Sequence, residues 1–198
     1  MIAVKTALRT AFLALLCTQF AACDTPPARE SFPEITFQHR PPINLDVAQI
    51  DIVSNYRAGD HPDDNAADYP QKPEILVANW ARDRLKAVGQ RGQATYTVIE
   101  ARAVRVPLPR ASGVNAALKT EQSDRFDLTI TVKLDAGNPL SSRSGTVTET
   151  VTRSQTVAEN VTLNQREVVL FNLLDAAMKD LNARLEASIP QYMGPLIR

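Results

Sequence analysis

FDLTITVKL, residues 126–134, alternates apolar and polar side chains over its whole length. A period of two predicts a half-buried β-strand, because successive side chains on a strand point to opposite faces of a sheet. The stretch GNPLSSRSG, residues 137–145, has the composition of a turn, and TVTETVTRSQTV, residues 146–157, predicts the returning strand. A short turn implies antiparallel pairing. We expect the apolar set of the first strand to face the core: Phe126, Leu128, Ile130, Val132 and Leu134.

The returning strand carries threonine at every second position over its first half. Threonine is a good strand former, and its hydroxyl is left to contact solvent or a partner when it lies on an open sheet face. We interpret this row as a candidate partner-binding face, with a plain solvated sheet face as the alternative. The row consists of Thr146, Thr148, Thr150 and Thr152.

A first helix is predicted to begin at Pro73 and to stop at Gly89. Proline fits the first helical position, and glycine is common just after a helix end. Trp80 lies on the apolar face of this helix, so we interpret it as a core residue and not as a ligand site. That face consists of Val77, Trp80, Ala81, Leu85 and Val88.

The final helix has the clearest signals. Thr162 and Gln165 have the spacing of a capping box, and Pro190 is predicted to end the helix. Between them, leucine and alanine form a stripe about a hundred degrees wide, which predicts one buried helix face. The stripe consists of Leu170, Leu173, Leu174, Ala177, Leu181 and Leu185.

Two further strand regions complete the predicted fold. Residues 43–52 alternate in two phases that are one residue out of step, which predicts a bulge in a half-buried strand. Residues 93–106 are rich in Thr, Tyr and Val and predict another strand, bounded by Pro107. We therefore expect an α+β fold. It is a two-layer sandwich of one mostly antiparallel sheet, with about four or five strands and two helices on one face.

The N-terminus has the features of a signal peptide. Lys5 and Arg9 precede an apolar run, residues 11–17, which is far shorter than the roughly 20 residues that span a bilayer. The segment Phe20–Cys23, FAAC, resembles the lipobox of bacterial lipoproteins, in which two small residues precede the cysteine. An ordinary signal peptide whose mature chain begins near a cysteine is the alternative.

The lipobox resemblance implies that the signal, residues 1–22, is cut before Cys23 and that Cys23 carries a covalent lipid. This lipid is the only attached group that we expect, with no cofactor and no metal. Residues 23–33 are proline-rich and polar and predict a flexible tether, and residues 34–198 predict a single periplasmic domain. The resemblance implies anchoring on the periplasmic side of a cell membrane. Asp24 slightly favours the inner membrane, with the outer membrane as the alternative.

Cysteine and charge exclude several classes of protein. Cys17 would leave with the signal, so the mature chain would have Cys23 alone and neither a disulfide nor a cysteine-based zinc site. Loss of Lys5 and Arg9 from the 22 basic residues leaves 20 against 22 acidic ones. A chain without a basic excess is a poor ligand for a phosphate backbone, so we expect no nucleic-acid partner.

We find no sequence pattern typical of catalysis. His39 and His61 both lie in predicted loops, and no G-x-S-x-G motif is present. Residues 60–68, DHPDDNAAD, predict a solvated acidic loop, with a calcium site as the alternative. Residues 89–92, GQRG, are interpreted as a helix cap plus a turn, not as a nucleotide-binding loop. We therefore expect a protein that is not an enzyme.

Two local segments resemble the ABC-type transport auxiliary lipoproteins. Residues 53–57, VSNYR, are similar to that family's Tyr-Leu-x-Arg segment, and Asn79–Ala81 resembles its Trp-Ala helix. The resemblance implies a lipid-anchored periplasmic accessory or binding lipoprotein of an envelope transport system, with transporter subunits or other envelope proteins as partners. The alternative is a scaffold or activator of a cell-envelope enzyme such as a cell-wall synthase. A hydrolase ranks last.

Overall fold

The strand around FDLTITVKL spans Gln122–Asn138 in the computed structural model, which describes residues 31–109, 122–140 and 142–198. Residues 31–198 form one unit of the chain. In chain order the elements are β1 (Ile43–Leu45), β2 (Gln49–Ser54), α1 (Pro73–Arg84), β3 (Leu85–Ala87), β4 (Gln93–Pro107), β5 (Gln122–Asn138), β6 (Arg143–Ala158) and α2 (Leu163–Met193).

The main sheet has four strands in the order β2-β4-β5-β6. Strands β4, β5 and β6 are antiparallel neighbours, and β2 pairs with β4 in parallel. Parallel neighbours need a long crossover, and here it contains α1. Strands β1 and β3 form a separate parallel pair. Both helices lie on one side of the sheet, which confirms the predicted α+β fold.

The core lies between the helices and one face of the main sheet. All five apolar residues predicted to face inward on β5 are at most 1% exposed. The predicted α2 stripe is also buried, and its capping box is present: the Gln165 amide donates to Thr162 Oγ1 at 3.3 Å, and the Thr162 amide donates to Gln165 Oε1 at 2.9 Å. Period-two and helical patterns therefore located these two surfaces of the core.

Helix α1 is one turn shorter than predicted. It ends at Arg84, and Leu85–Ala87 pairs in parallel with Ile43–Leu45. The Arg84 guanidinium donates to the Pro41 carbonyl oxygen and to Glu186, both at 2.6 Å, so it fixes the helix end against two other segments. Strand pairing thus overrides the helical period, and Val88 is 44% exposed.

The predicted bulge within residues 43–52 is wrong. The two phases belong to β1 and β2, which lie in different sheets. Asp46 lies between β1 and β2, where the chain passes from one sheet to the other, and is 6% exposed. Its amide donates to the Leu196 carbonyl oxygen at 2.7 Å. A bulge does occur in β4, between Val98 and Glu100. The change of phase in the apolar pattern therefore coincides with the passage of the chain from one sheet to the other.

Helix α2 does not end at Pro190, as the sequence predicts, but continues to Met193. Proline inside a helix costs about 3 kcal/mol. Ile189 and Met193 are fully buried, and each such burial contributes roughly 1.5–3 kcal/mol. Continued burial on both sides of Pro190 offsets the lost backbone hydrogen bond.

The segment before β1 packs on both helices. The ring of Phe32, which the sequence places in the tether, stacks on Phe171 of α2 at 4.9 Å between centroids. Asp83 at the end of α1 accepts a hydrogen bond from the Phe37 amide at 2.8 Å. The packed part of the chain thus includes the last residues of the predicted tether.

Candidate functional site

The face of the main sheet opposite the helices carries an array of threonines on three adjacent strands. All four members of the predicted row on β6 are exposed. Strand register places Thr131 opposite Thr150 and Thr129 opposite Thr152, and β4 adds Thr95 and Thr97 on the same face. We call these eight residues the threonine face: Thr95, Thr97, Thr129, Thr131, Thr146, Thr148, Thr150 and Thr152.

Hydrogen bonds link the hydroxyls of the threonine face across the strands. Thr131 and Thr150 share one at 3.1 Å, Thr129 and Thr152 share one at 3.5 Å, and Thr146 donates to Asp135 at 2.8 Å. Threonine is stiff at χ1 because Cβ is branched. Five of the eight threonines are therefore held by hydrogen bonds before any partner arrives.

Two ion pairs lie on this side of the sheet. Lys133 lies 2.9 Å from Asp135, and Arg125 lies 2.8 Å from Asp127. Partial burial raises the pKa of Asp135, but the hydrogen bonds from Lys133 and Thr146 outweigh it and hold that pKa below the ordinary value. Register also places the carboxylates of Asp51 and Glu100 on this face, opposite Thr95 and Thr131, so the surface has no cationic excess around the threonines.

A groove that the sequence did not predict runs between the later part of β6 and the first half of α2. Its volume is about 640 Å³. Residues 152–155 form one wall, and Val169, Leu173 and Ala176 lie on the other. The helical spacing of these three residues was visible in the sequence, but the gap beside them depends on how far α2 diverges from β6.

Most of the acidic loop is exposed, as predicted, but Asp64 is half-buried. The Asp64 carboxylate accepts hydrogen bonds from the Tyr56 hydroxyl and from the amides of Ala66 and Ala103, the latter two at 2.9 and 3.1 Å. Asp63 forms an ion pair with Arg102. Within the described residues, no group of three or more potential metal ligands is present. Asp64 holds the loop against β4.

Tyr56 belongs to this loop anchor. Burial and the hydrogen bond to Asp64 raise the pKa of its phenol well above the ordinary value. Its ring stacks on His61 at 5.5 Å, and His39 lies 6.4 Å from Phe37. Both histidines are exposed and lie beside aromatic rings. The Tyr56 segment that resembles a family motif therefore has a structural role in this fold.

Residues 89–92 connect β3 to β4, so they are not the helix cap that the sequence predicts. The Gly89 amide donates to the Val47 carbonyl oxygen at 2.9 Å, and a Cβ there would lie 2.5 Å from the Asp46 carboxylate. Gly92 has φ +90°, a conformation that favours glycine. Gly89 is thus required by the close approach of Asp46 and Val47, and Gly92 by its backbone conformation.

Trp80 is a core residue, as predicted. It is fully buried, its ring stacks on Tyr96 at 5.7 Å, and its indole N–H donates to Asn182 at 3.0 Å. This bond connects α1 with α2 across the core. The Asn79–Ala81 segment therefore contributes to stability in this fold.

The lipidation prediction at Cys23, like the signal peptide, lies outside the described residues. Within residues 31–109, 122–140 and 142–198, neither helix combines the length and the apolar content that a bilayer crossing needs.

No known protein-family model and no curated protein matches this chain. Among solved structures, rare lipoprotein B from Shewanella oneidensis is 15% identical, with a TM-score of 0.36 over 72% of this chain and 98% of that one. A minor lipoprotein from Acinetobacter baumannii is 13% identical, with a TM-score of 0.36 over 73% and 94%.

A Xanthomonas campestris protein of the family DUF330 is 8% identical, with a TM-score of 0.36 over 80% of this chain and 91% of that one. Two of these three structures are thus named as lipoproteins. At such identities and TM-scores, the likeness decides neither the fold nor the function of this chain.

Proposed function

We propose that this chain is a non-catalytic, lipid-anchored lipoprotein of the bacterial cell envelope, and that it binds a partner protein through the threonine face. The observation that carries the proposal is the alignment of eight threonines on one side of the sheet, of which the four on β6 are exposed and the four on β4 and β5 are half-buried. The helices cover the other side. A regular sheet face without a helix is a surface that another protein can cover.

The chemistry of the threonine face suits a protein partner. Ordering a flexible side chain at an interface costs about 0.5–1.5 kcal/mol, and a threonine that is already fixed by its neighbours has little of that cost. The ion pairs beside the threonines offer hydrogen bonds without a cationic excess. Such a surface fits a polar protein face better than a phosphate backbone.

A lipid on Cys23 would place this domain at a membrane, with residues 24–30 between the lipid and the described part. Acyl chains contribute about 0.8 kcal/mol per buried CH₂, and stable anchoring needs more than one chain. Cys23→Ala should therefore move the protein from the membrane fraction to the soluble fraction. Labelled palmitate incorporated by the wild type and not by the variant would support the anchor, whereas equal membrane attachment of both would contradict it.

The docking proposal is tested with a charge pair on the threonine face. Thr148→Glu together with Thr150→Lys keeps the net charge and should release the partner complex from solubilised envelope membranes. Ala183→Glu together with Ala187→Lys makes the same change on an exposed part of α2 and should retain the complex. Equal capture by both variants, with equal melting temperatures, would place the interface elsewhere.

An envelope transport system is our first choice of partner. The resemblance of residues 53–57 and of Asn79–Ala81 to the transport auxiliary lipoproteins supports it. Mass spectrometry of the captured complex distinguishes the possibilities: permease or substrate-binding subunits would support a transport role. Capture of a cell-wall synthase would support the scaffold alternative instead.

A further inference from the structure

Strand β6 is the outer strand of the main sheet and pairs with β5 on one side only. On its other edge, no described strand is hydrogen-bonded to it. A free strand edge carries unpaired backbone N–H and C=O groups, and these groups can pair with another extended chain. The question is how much of this edge α2 leaves accessible.

Helix α2 contacts the first half of β6 at two points. A Cβ at Gly145 would lie 2.9 Å from both Met193 Cγ and the Tyr192 carbonyl oxygen, so helix and strand are in contact there. Farther along, the Arg184 guanidinium donates to the Thr150 carbonyl oxygen at 3.0 Å. At Gly145 the end of α2 therefore packs on the covered face of the strand, and at Thr150 an α2 side chain occupies the strand edge.

Beyond Thr150 the helix and the strand separate, and the 640 Å³ groove lies between them. Val169, Leu173 and Ala176 give the helix wall a small apolar surface. The Arg153 guanidinium and the Asp180 carboxylate form an ion pair at 2.6 Å, and both residues line the groove. The accessible edge is therefore short, and three of the five helix residues that line the groove beside it are apolar, the other two being Asn172 and Asp180.

Two observed hydrogen bonds show which backbone groups point into this groove. The Thr150 carbonyl accepts from α2, and the Val157 carbonyl accepts from Ser123 on β5. In an antiparallel pair, alternate residues direct both backbone groups toward the neighbour or both away from it. Thr152, Ser154 and Thr156 thus direct their N–H and C=O groups toward the free edge.

We propose that residues 152–156 of β6 form a strand-addition site, which binds an extended segment of a partner protein with alternating apolar and polar side chains. Backbone hydrogen bonds to the edge would supply affinity, and alternate side chains would supply specificity. One set would contact the apolar wall of α2, and the other would extend the threonine face. The site goes beyond the docking proposal, because it uses backbone groups of the edge and not hydroxyls of the face.

A second copy of this chain fits the groove less well. A second β6 would bring Arg153 and Gln155, which lie on the helix side of the strand, against the apolar wall of the groove. Arg184 also blocks the extension of such pairing past Thr150. A segment with apolar residues at alternate positions avoids both conflicts.

The test measures binding of a fluorescein-labelled peptide, Lys-Thr-Val-Thr-Val-Thr-Val-Lys, to the full chain purified in detergent. Ser154→Pro removes one edge-directed N–H without removing a ladder hydrogen bond to β5. Ser144→Pro is the matched control, because Ser144 has the same alternation on β6 but lies outside the groove. Loss of one backbone hydrogen bond should weaken binding about tenfold in the first variant only.

Hydrogen exchange of residues 152–156 provides the second measurement. We expect slower exchange when the peptide is added, and the Thr148→Glu, Thr150→Lys variant should retain this effect even if it loses its partner. Equal peptide binding by the two proline variants, or no saturable binding up to roughly 1 mM, would overturn the proposal. Protection that depends on protein concentration without peptide would assign the edge to a second copy and would also overturn it.

Discussion

The two faces of β5 show how one strand separates stability from binding. Its inward residues are buried under the helices, whereas its outward residues remain accessible and hydrogen-bonded to neighbouring strands. The inward face depends on volume and apolar area, and the outward face depends on hydrogen bonds and charge balance. Mutations on the two faces should therefore differ in magnitude and in what they change. The inward set is Phe126, Leu128, Ile130, Val132 and Leu134, and the outward set is Asp127, Thr129, Thr131, Lys133 and Asp135.

The largest expected effect is on the covered face. Leu181 is fully buried in α2, so Leu181→Ala removes apolar contacts and leaves a cavity. Such substitutions cost about 2–5 kcal/mol of unfolding free energy. Urea denaturation of the variant and the wild type measures the difference.

Leu163→Ala is the matched control, because Leu163 lies on the same helix and is 64% exposed. It should change the free energy of unfolding by no more than about 0.5 kcal/mol. Equal losses of unfolding free energy in the two variants would mean that α2 is not packed on the sheet at Leu181.

The next effect tests the contact between α2 and β6. Gly145→Ala would place a methyl group 2.9 Å from Met193 Cγ and the Tyr192 carbonyl oxygen, so helix or strand must move. Overpacking of this kind typically costs about 1–3 kcal/mol. The melting temperatures of the variant and the wild type measure this loss of stability.

Gly137→Ala provides the control in the neighbouring strand. A Cβ at Gly137 would have its nearest contact at 3.9 Å, so alanine fits and should be neutral or slightly stabilising. A Gly145→Ala variant that melts with the wild type would show that α2 does not press on the start of β6. The groove would then extend farther than we describe.

The sequence predicted features that depend on periodicity and on local chemistry. The β5 alternation, the α2 stripe and the capping box of Thr162 were all correct, because each is encoded within one segment. The end of α1 at Arg84, the separation of β1 from β2 and the passage of α2 through Pro190 were missed. Each depends on a partner distant in the chain: Glu186 for Arg84, Leu196 for Asp46, and the core around Met193.

The candidate site was likewise predicted only in part from the sequence. The threonine row on β6 was visible in the sequence, but Thr95, Thr97, Thr129 and Thr131 joined it only through strand register. The groove was not predictable, because it exists where two packed elements diverge. Sequence patterns identify the faces of single helices and strands. Strand register and the separation between packed elements then determine which of those faces form one binding surface.

A smaller effect tests a polar residue at the end of the covered face. Asp124 is 4% exposed, and the hydrogen bonds from Arg105 and Ser123 hold the pKa of its carboxyl below the ordinary value. A lowered folded-state pKa stabilises the fold above the ordinary carboxyl range, and this contribution is lost as pH falls through the folded-state pKa.

Asp124→Asn should therefore be less stable than the wild type at neutral pH, and the difference should shrink below about pH 4. Because Arg105 is 42% exposed, we expect a difference below about 1 kcal/mol. Urea unfolding from neutral to acid pH measures it. A difference that stays constant across this range would mean that the carboxylate charge at Asp124 contributes nothing.

The smallest effects are expected on the threonine face, where position should still matter. Thr148 lies directly opposite Lys133, whereas Thr150 lies opposite Thr131. Thr148→Lys places two ammonium groups across the strands, and like charges directly opposite destabilise a sheet by a few tenths of a kcal/mol. Thr148→Glu instead faces an opposite charge and should be the more stable of the two. Thr150→Lys meets no such repulsion, so only its hydroxyl bond to Thr131 is lost, and the change should stay within about 0.5 kcal/mol.

Chemical denaturation at low and high salt measures these differences. The difference in unfolding free energy between Thr148→Lys and Thr148→Glu should decrease at high salt, because screening weakens the interactions of exposed charges. Thr150→Lys should show no such salt dependence. If any of the three unfolds the protein, the threonine face is covered and not open, and the two faces of the sheet would have to be exchanged.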